Sequence, residues 1–171
     1  QVAVAAAARE LRSATATVTF VDAAPAVTTA DAQAVADEAN ALVARAVKVS
    51  DGEDTHTAPA ATKASWVVIP TTDGVPGSPS LEAAKVQAWV EDLAKDAKVT
   101  PRDGVRNVSQ SGKVLAVVTE AREGATVSNA PAVAKAAVLA VTRGSDYKGT
   151  FTYDKTPAKW TDRKVARGAE N

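Results

Sequence analysis

Few residues of this chain could perform chemistry, and His56 is its only histidine. A Ser–His–Asp triad would have to use it, but His56 lies in the polar stretch Ser-Asp-Gly-Glu-Asp-Thr-His-Thr, which favours a solvated loop. The nearby carboxylates of Asp51, Glu53 and Asp54 could bind a cation together with His56. They lack the order of oxygen ligands and the spaced glutamate of an EF-hand loop. We therefore predict no catalytic residue, no metal site and no cofactor.

Paired carboxylates and phosphate-binding loops give no stronger signal. Asp37/Glu38 and Glu91/Asp92 are adjacent pairs on predicted helices. A solvated helix face is their preferred interpretation, because the paired carboxylates of a glycosidase need a cleft. The phosphate-binding patterns G-x-x-x-x-G-K-[ST] and G-x-G-x-x-G do not occur. Cysteine is absent from the sequence, which excludes a disulfide, a thiolate ligand or a cysteine nucleophile within it.

Three tryptophans are candidates for contact with sugars, because sugar rings stack on aromatic faces. Trp89 lies on the apolar stripe of a predicted helix, so we assign it to the core. Trp66 begins a predicted strand, where core packing is the preferred interpretation, and it is kept as a candidate ligand contact. Trp160 opens a charged stretch, and a neighbouring domain outside this sequence would explain its exposure.

Two tyrosines and two polar residues complete the set of candidates. Tyr147 and Tyr153 flank the last predicted strand, where one of them could lie on a binding face. Arg106 and Asn107 lie beside a predicted hairpin and could contact a polar ligand, although a solvated sheet face is the commoner position for both. The candidate ligand-binding residues are therefore Trp66, Arg106, Asn107, Tyr147 and Tyr153.

Composition narrows the function classes. The 20 basic and 20 acidic residues give a net charge of zero, and no long basic tract occurs, so no nucleic-acid partner is predicted. No apolar run approaches the length of a transmembrane helix. The alanine-rich start lacks the basic leader of a signal peptide, so we expect Gln1 to be a trimmed or processed start. The absence of cysteine is compatible with an exported protein.

Periodicity and turn residues indicate alternating helices and strands. Thr28 with Asp31 three residues later resembles a capping box and predicts the start of a helix. The segment from Leu81 to Ala97 has the clearest helical stripe of apolar residues. Val105–Val108 and Val114–Thr119 predict a hairpin that turns at Ser-Gln-Ser-Gly, and residues 53–61 read as a loop.

The order of helix, hairpin and helix from Ser80 to Gly144 recurs more weakly from Val2 to Ser50, beginning with a helix at 2–11 and a strand at 15–21. Val27-Thr28 and Val127-Ser128 occupy equivalent places in the two copies. We predict an α+β fold of two related lobes, each with helices packed on a small, mainly antiparallel sheet. The predicted lobes are residues 1–75 and 76–158, followed by a linker, 159–171, to a further domain.

The sequence resembles the peptidoglycan-binding module that precedes the catalytic domain in L,D-transpeptidases and also accompanies VanW-type proteins. The likeness extends from about Val18 to Pro157 and is carried by apolar spacing and turns. The residues that carry it are Ala64–Val67, Asp73-Gly74, the Leu81–Ala97 helix and Glu123–Val127.

The resemblance implies a bacterial extracellular protein, associated with the cell wall or the cell membrane. It also implies a peptidoglycan partner, a membrane anchor upstream and a catalytic domain downstream, with no membrane contact by this segment itself. The transpeptidase motif S/T-H-G-C contains a cysteine nucleophile, and this chain has no cysteine. We therefore expect a non-enzymatic segment of an enzyme, and the resemblance carries over no ligand residues.

Several functions remain open at this point. The leading hypothesis is a module that binds or positions peptidoglycan for the linked transpeptidase domain. A structural spacer with no ligand, or a regulatory domain that docks on its own catalytic partner, fits the balanced charge almost as well. An enzyme that works through the acidic loop and His56 is the remaining alternative.

Overall fold

The computed structural model describes Thr19 and residues 25–166, which form four helices and twelve short strands. The helices are α1 (Thr29–Ala44), α2 (Ala60–Trp66), α3 (Ala83–Asp96) and α4 (Ala130–Thr142). The strands are β1 (Val47–Ser50), β2 (Thr55–Thr57), β3 (Val67–Val68), β4 (Thr71–Thr72), β5 (Val75–Pro76), β6 (Ser80–Leu81), β7 (Gly104–Val108), β8 (Val114–Thr119), β9 (Gly124–Val127), β10 (Tyr147–Thr150), β11 (Tyr153–Thr156) and β12 (Trp160–Lys164). The predicted helix at 2–11 lies outside the described residues, as does the predicted strand at 15–21 apart from Thr19.

The 16-residue helix α1 begins at the predicted capping box. Thr28 Oγ1 accepts a hydrogen bond from Asp31 N at 3.2 Å, and Asp31 Oδ2 accepts one from Thr28 N at 3.1 Å. The pair satisfies backbone N–H groups for which the helix start offers no carbonyl partner. No residue of α1 is fully buried, and Leu42 packs against the core. Among the described residues, no helix combines the length and the apolar character needed to cross a bilayer.

Helix α3 starts later than its apolar stripe predicts. Ser80–Leu81 pair with Val67–Val68 as antiparallel strands, and Glu82 N donates a hydrogen bond to Trp66 O at 2.7 Å. Leu81 is therefore extended, because its backbone is held in a ribbon before the helix begins. From Ala83 onward the stripe is as predicted, with Val86 and Val90 one turn apart and both buried.

Helix α4 begins after Asn129 and has Pro131 in its first turn, where proline needs no backbone N–H partner. The Asn129 side chain makes no capping hydrogen bond to the helix. It forms hydrogen bonds instead with two backbone groups at the corner between β10 and β11, Thr150 O and Thr152 N. The helix ends at Thr142, and Gly144 follows with a φ of 77°, the left-handed conformation in which glycine ends many helices.

Five small sheets of two or three strands accompany the helices in the described residues. Strand β1 pairs antiparallel with β2 and parallel with β10, and β9 pairs antiparallel with β11. Strand β7 forms the predicted hairpin with β8 and pairs in parallel with β12. The ribbons β3–β6 and β4–β5 are antiparallel. These pairings confirm the α+β fold, with helices packed on small, mainly antiparallel sheets.

Two buried clusters form the core of the described residues. The first contains Val47, Ala58, Trp66, Val86, Ala137 and Val141. The second contains Val49, Val90, Ala130, Val133, Ala134 and Phe151. Trp89 and Tyr147 pack against both clusters. Residues from both predicted lobes, 1–75 and 76–158, contribute to each cluster, and the parallel pair β1–β10 joins the two ranges in one sheet.

The structure corrects two expectations about local secondary structure, one at residues 53–61 and one at Trp66. The predicted loop at 53–61 contains β2, whose backbone pairs with β1 although its side chains are polar and largely exposed. The residue Trp66 ends α2 and does not open a strand. Alternation of apolar and polar residues could not predict β2, because that pattern marks a strand with one buried face and β2 has no apolar side chain.

The charged stretch predicted to be a linker begins with a strand. Residues 160–164 pair in parallel with 104–108. Gly104 N donates a hydrogen bond to Lys159 O at 2.8 Å, and Val165 N donates one to Val108 O at 3.0 Å. Every residue of this strand is exposed, so its sequence needs no apolar face, and only the register with β7 reveals it. Residues 167–171 lie outside the described residues.

Candidate functional site

Trp66 and Tyr147 serve the core. Trp66 is 2% exposed, and its ring centroid lies 5.6 Å from that of Trp89 at an interplanar angle of 58°. Tyr147 is half-buried between the two clusters, and burial raises the pKa of its hydroxyl. A Cβ atom at Gly149 would lie 2.5 Å from the Tyr147 hydroxyl oxygen, so the ring packs directly on glycine backbone. Trp66 is therefore closed to a sugar, and Tyr147 exposes only part of its surface.

Tyr153 lies in an open cleft of about 450 Å³. Its hydroxyl donates a hydrogen bond to Asp51 O at 2.8 Å, which ties β11 to the turn after β1. Burial, and then the negative charges of Asp51 and Glu53, raise the pKa of the Tyr153 hydroxyl. The cleft is lined by Asp51, Glu53, Asp96, Ala97, Lys98, Val99, Ala125, Tyr153 and Lys155.

The Asp51 carboxylate is engaged in holding its own turn. Oδ1 accepts hydrogen bonds from Glu53 N at 2.9 Å and Asp54 N at 2.7 Å, and Oδ2 lies 2.9 Å from His56 Nε2. These bonds, His56 first, lower the pKa of Asp51 to about 2. The His56 ring is therefore engaged in a hydrogen bond with the Asp51 carboxylate. The described residues contain no group of three His, Cys, Asp or Glu side chains placed to hold a metal ion.

Three further charged side chains line the cleft: Glu53, Asp96 and Lys98. Within the described residues, no oppositely charged side chain lies within 4.0 Å of Glu53, Asp96 or Lys98. Lys155 reaches Glu123 at 3.9 Å, and both side chains are mostly exposed, so this pair contributes little to stability. The cleft therefore presents carboxylates and ammonium groups side by side around an aromatic ring.

Arg106 and Asn107 belong to a second surface, on the sheet β12–β7–β8. Arg106 Nε donates a hydrogen bond to Asp162 Oδ1 at 2.6 Å, and its guanidinium carbon lies 5.4 Å from the Trp160 ring centroid. Asn107 is the next residue on the strand and therefore faces the opposite side of the sheet. The structure thus separates the five candidates into a core pair, a cleft residue and two faces of one sheet.

Trp160 completes the second surface, and sequence reasoning left it out of the candidate ligand contacts. It is 40% exposed and opposes Gly104 in the parallel register. A tryptophan opposite a glycine on neighbouring strands is a recognisable signal, but the strand pairing must be known before it can be read.

Two apolar surfaces lie elsewhere on the described chain. A groove of about 470 Å³ between α3 and α4 is lined by Ala83, Gln87, Pro131, Ala134, Lys135, Val138, Leu139 and Thr142. The edge strand β8 exposes apolar side chains on both faces, each between 38% and 53% exposed: Val114, Leu115, Val117 and Val118.

The comparisons with known proteins give structural neighbours only. No family model matches the chain, and no curated protein matches it. It is similar to the solved Ldtfm–avibactam carbamoyl enzyme, with 17% identity over 75% of this chain and 48% of that one and a TM-score of 0.47. It is also similar to a cysteine-to-serine mutant of an Enterococcus faecium L,D-transpeptidase, with 18% identity over 72% of this chain and 48% of that one and a TM-score of 0.45. The chain therefore spans about half the length of each of these two structures.

Proposed function

We propose that this chain is a non-catalytic, extracellular module that binds or positions bacterial peptidoglycan for a linked L,D-transpeptidase catalytic domain. The sequence resemblance to the module that precedes such domains supports the proposal. The absence of cysteine supports a division of labour in which the linked domain supplies the nucleophile. In this proposal the parent protein is anchored in the cell membrane, and this segment lies in the cell wall.

The observation that carries the proposal is the open cleft beside Tyr153. Glu53, Asp96 and Lys98 line it without an ion-pair partner among the described residues. The stem peptides of peptidoglycan carry free carboxylates and amines, so they match a cleft that offers both signs of charge. An open cleft of about 450 Å³ also has room for part of a stem peptide.

A sedimentation assay with purified sacculi tests the proposal. We expect saturable retention of the chain across several salt concentrations, with serum albumin as the negative control. The double variant Glu53→Gln/Lys98→Gln leaves the net charge unchanged and should reduce retention. The matched variant Glu38→Gln/Lys48→Gln changes exposed residues that do not line the cleft, and it should bind like the parent. Full recovery of the parent chain in the supernatant would reject peptidoglycan binding.

A spacer or docking domain is the second candidate function. The edge strand β8 favours docking, because an exposed apolar edge strand can pair with another chain. On this proposal the linked catalytic domain covers β8. Comparison of that domain's activity with and without residues 1–171 tests it: unchanged activity and unchanged hydrogen exchange in β8 would reject docking.

A further inference from the structure

The indole ring of Trp160 packs against the backbone of the neighbouring strand β7. Trp160 opposes Gly104 in the parallel register of β12 and β7. A Cβ atom at Gly104 would lie 2.5 Å from Trp160 Cε3 and 2.6 Å from Cζ3. The ring therefore packs directly on glycine backbone, in space that a side chain at position 104 would occupy. At 40% exposure, Trp160 combines a defined position with access from solvent.

A charged pair lies against the ring, and the Arg106 guanidinium carbon is over the ring at 5.4 Å from its centroid. Asp162 opposes Arg106 in the same register, and alternation along the strands places both on the Trp160 face. Arg106 Nε lies 2.6 Å from Asp162 Oδ1, and Nη2 lies 3.4 Å from Oδ2. The Arg106 and Asp162 side chains are 34% and 44% exposed. A guanidinium has five N–H donors, so Arg106 retains donors for a ligand.

We propose that Trp160, Arg106 and Asp162 form a saccharide platform, which takes one N-acetylhexosamine ring of a glycan. The apolar C–H face of the pyranose stacks on the solvent-exposed part of the indole, beside the Arg106 guanidinium, and the hydroxyl and acetamido groups bond to the Arg106–Asp162 pair. The identification of the sugar as an N-acetylhexosamine rests on the proposed peptidoglycan function.

Charge decides between ligand classes on this surface. The Arg106 guanidinium holds the pKa of Asp162 below its usual range, so the carboxylate is ionised at neutral pH and the pair has no net charge. A neutral pair that borders an apolar ring favours an uncharged ligand with hydroxyl groups over a phosphate or a charged peptide. The cleft beside Tyr153 has the opposite character, because it is lined by charges of both signs that have no ion-pair partner in the described part of the chain.

Titration of the ¹⁵N-labelled chain with chitotetraose, an oligomer of N-acetylglucosamine, tests the platform by NMR. We expect shifts of the Trp160 indole N–H and of nearby amides in β7 and β12. Trp160→Ala should weaken binding at least about tenfold, and Trp160→Phe should retain most of it because a ring remains. Arg106→Lys keeps the charge but loses the two-bond geometry, so it should weaken binding several-fold. Thr161→Ala, on the same strand and the opposite sheet face, is the control and should bind like the parent.

The contrary outcomes separate this platform from the peptidoglycan function. If the Trp160 indole signal does not shift at chitotetraose concentrations up to about 10 mM, which would detect even a dissociation constant in the millimolar range, the platform is overturned. Equal binding by the parent and by Trp160→Ala also overturns it. If sacculi still retain the chain in that case, the peptidoglycan function stands on other residues. If chitotetraose binds at Trp160 but sacculi do not retain the chain, the platform is upheld and the peptidoglycan function fails. Shielding of Trp160 from an aqueous quencher in the full-length protein would place another domain on this surface and overturn the platform.

Discussion

Asp51 holds the turn between β1 and β2 together through its side chain. Two backbone N–H groups donate to its carboxylate, and the His56 ring lies within hydrogen-bond distance. The Asp51 carbonyl oxygen also accepts the Tyr153 hydroxyl. One residue therefore fixes both the local turn and the wall of the cleft, so the shape of the cleft depends on the ionised state of Asp51.

We predict that this turn loses stability in acid. The pKa of Asp51 is about 2 in the folded chain and about 3.9 in an unfolded one. A lowered pKa contributes stability above the unfolded value, and this contribution disappears as pH falls from about 5 to below 2. The difference in free energy of unfolding between the parent and Asp51→Asn should therefore be largest near pH 6 and shrink toward pH 2.

Urea unfolding of both proteins at several pH values measures this difference, and a carboxyl NMR titration reports the pKa of Asp51 directly. His56→Ala removes the largest cause of the shift, so it should move the pKa of Asp51 upward. A difference between parent and Asp51→Asn that stays constant from pH 6 to pH 2 would contradict this account.

At the scale of elements, α2 and α3 are joined by the contact between Trp66 and Trp89. We predict that Trp66→Ala lowers the free energy of unfolding by about 3–5 kcal/mol, because it leaves a large cavity in the first cluster. Leu139→Ala is a suitable control, since Leu139 is 48% exposed on α4 and alanine favours helices. Urea denaturation should show a change within about 0.5 kcal/mol for that control. Similar losses in both variants would argue against a buried role for Trp66.

The corner between β10 and β11 is held by Asn129. Its amide nitrogen donates to Thr150 O at 3.0 Å, and its amide oxygen accepts from Thr152 N at 3.0 Å. We predict that Asn129→Ala costs about 1–2 kcal/mol through the loss of these two bonds. Hydrogen exchange should become faster at the Thr152 amide, while Asn129→Asp keeps that acceptor and protects it. Faster exchange confined to the first turn of α4 would instead indicate a capping role.

Local signals in the sequence predicted local structure, and long-range pairing decided the rest. The Thr28–Asp31 capping box and the Val86–Val90 spacing act within one or two turns, so they are visible without the fold. The extended backbone of Leu81 depends on its pairing with Val67. The extended backbone of Trp160 depends on its pairing with Gly104, which lies far away in the sequence. The candidate site was only partly predictable for the same reason. A tryptophan becomes a core residue or a surface platform through its neighbours in space, and those are absent from a local pattern.

At the scale of the whole molecule, β1 links the two clusters. Val47 belongs to the first cluster and Val49, two residues later, to the second. We therefore predict a single cooperative unfolding transition for residues 29–164, because neither cluster can be lost without breaking the sheet shared with β10. Scanning calorimetry with equal calorimetric and van't Hoff enthalpies would confirm it. Two transitions that divide the chain near residue 75 would favour independent lobes.

The parallel pairing of β1 and β10 also governs when the fold can form. Ala46 N donates to Asp146 Oδ1, and these residues are separated by 100 positions in the sequence. A chain that leaves the ribosome from its N-terminus thus exposes Val47 and Val49 long before β10 has been made, with only β2 available to pair with β1. Closing so distant a contact is slow. The completed core therefore forms late in synthesis, only after the residues of β10 have left the ribosome.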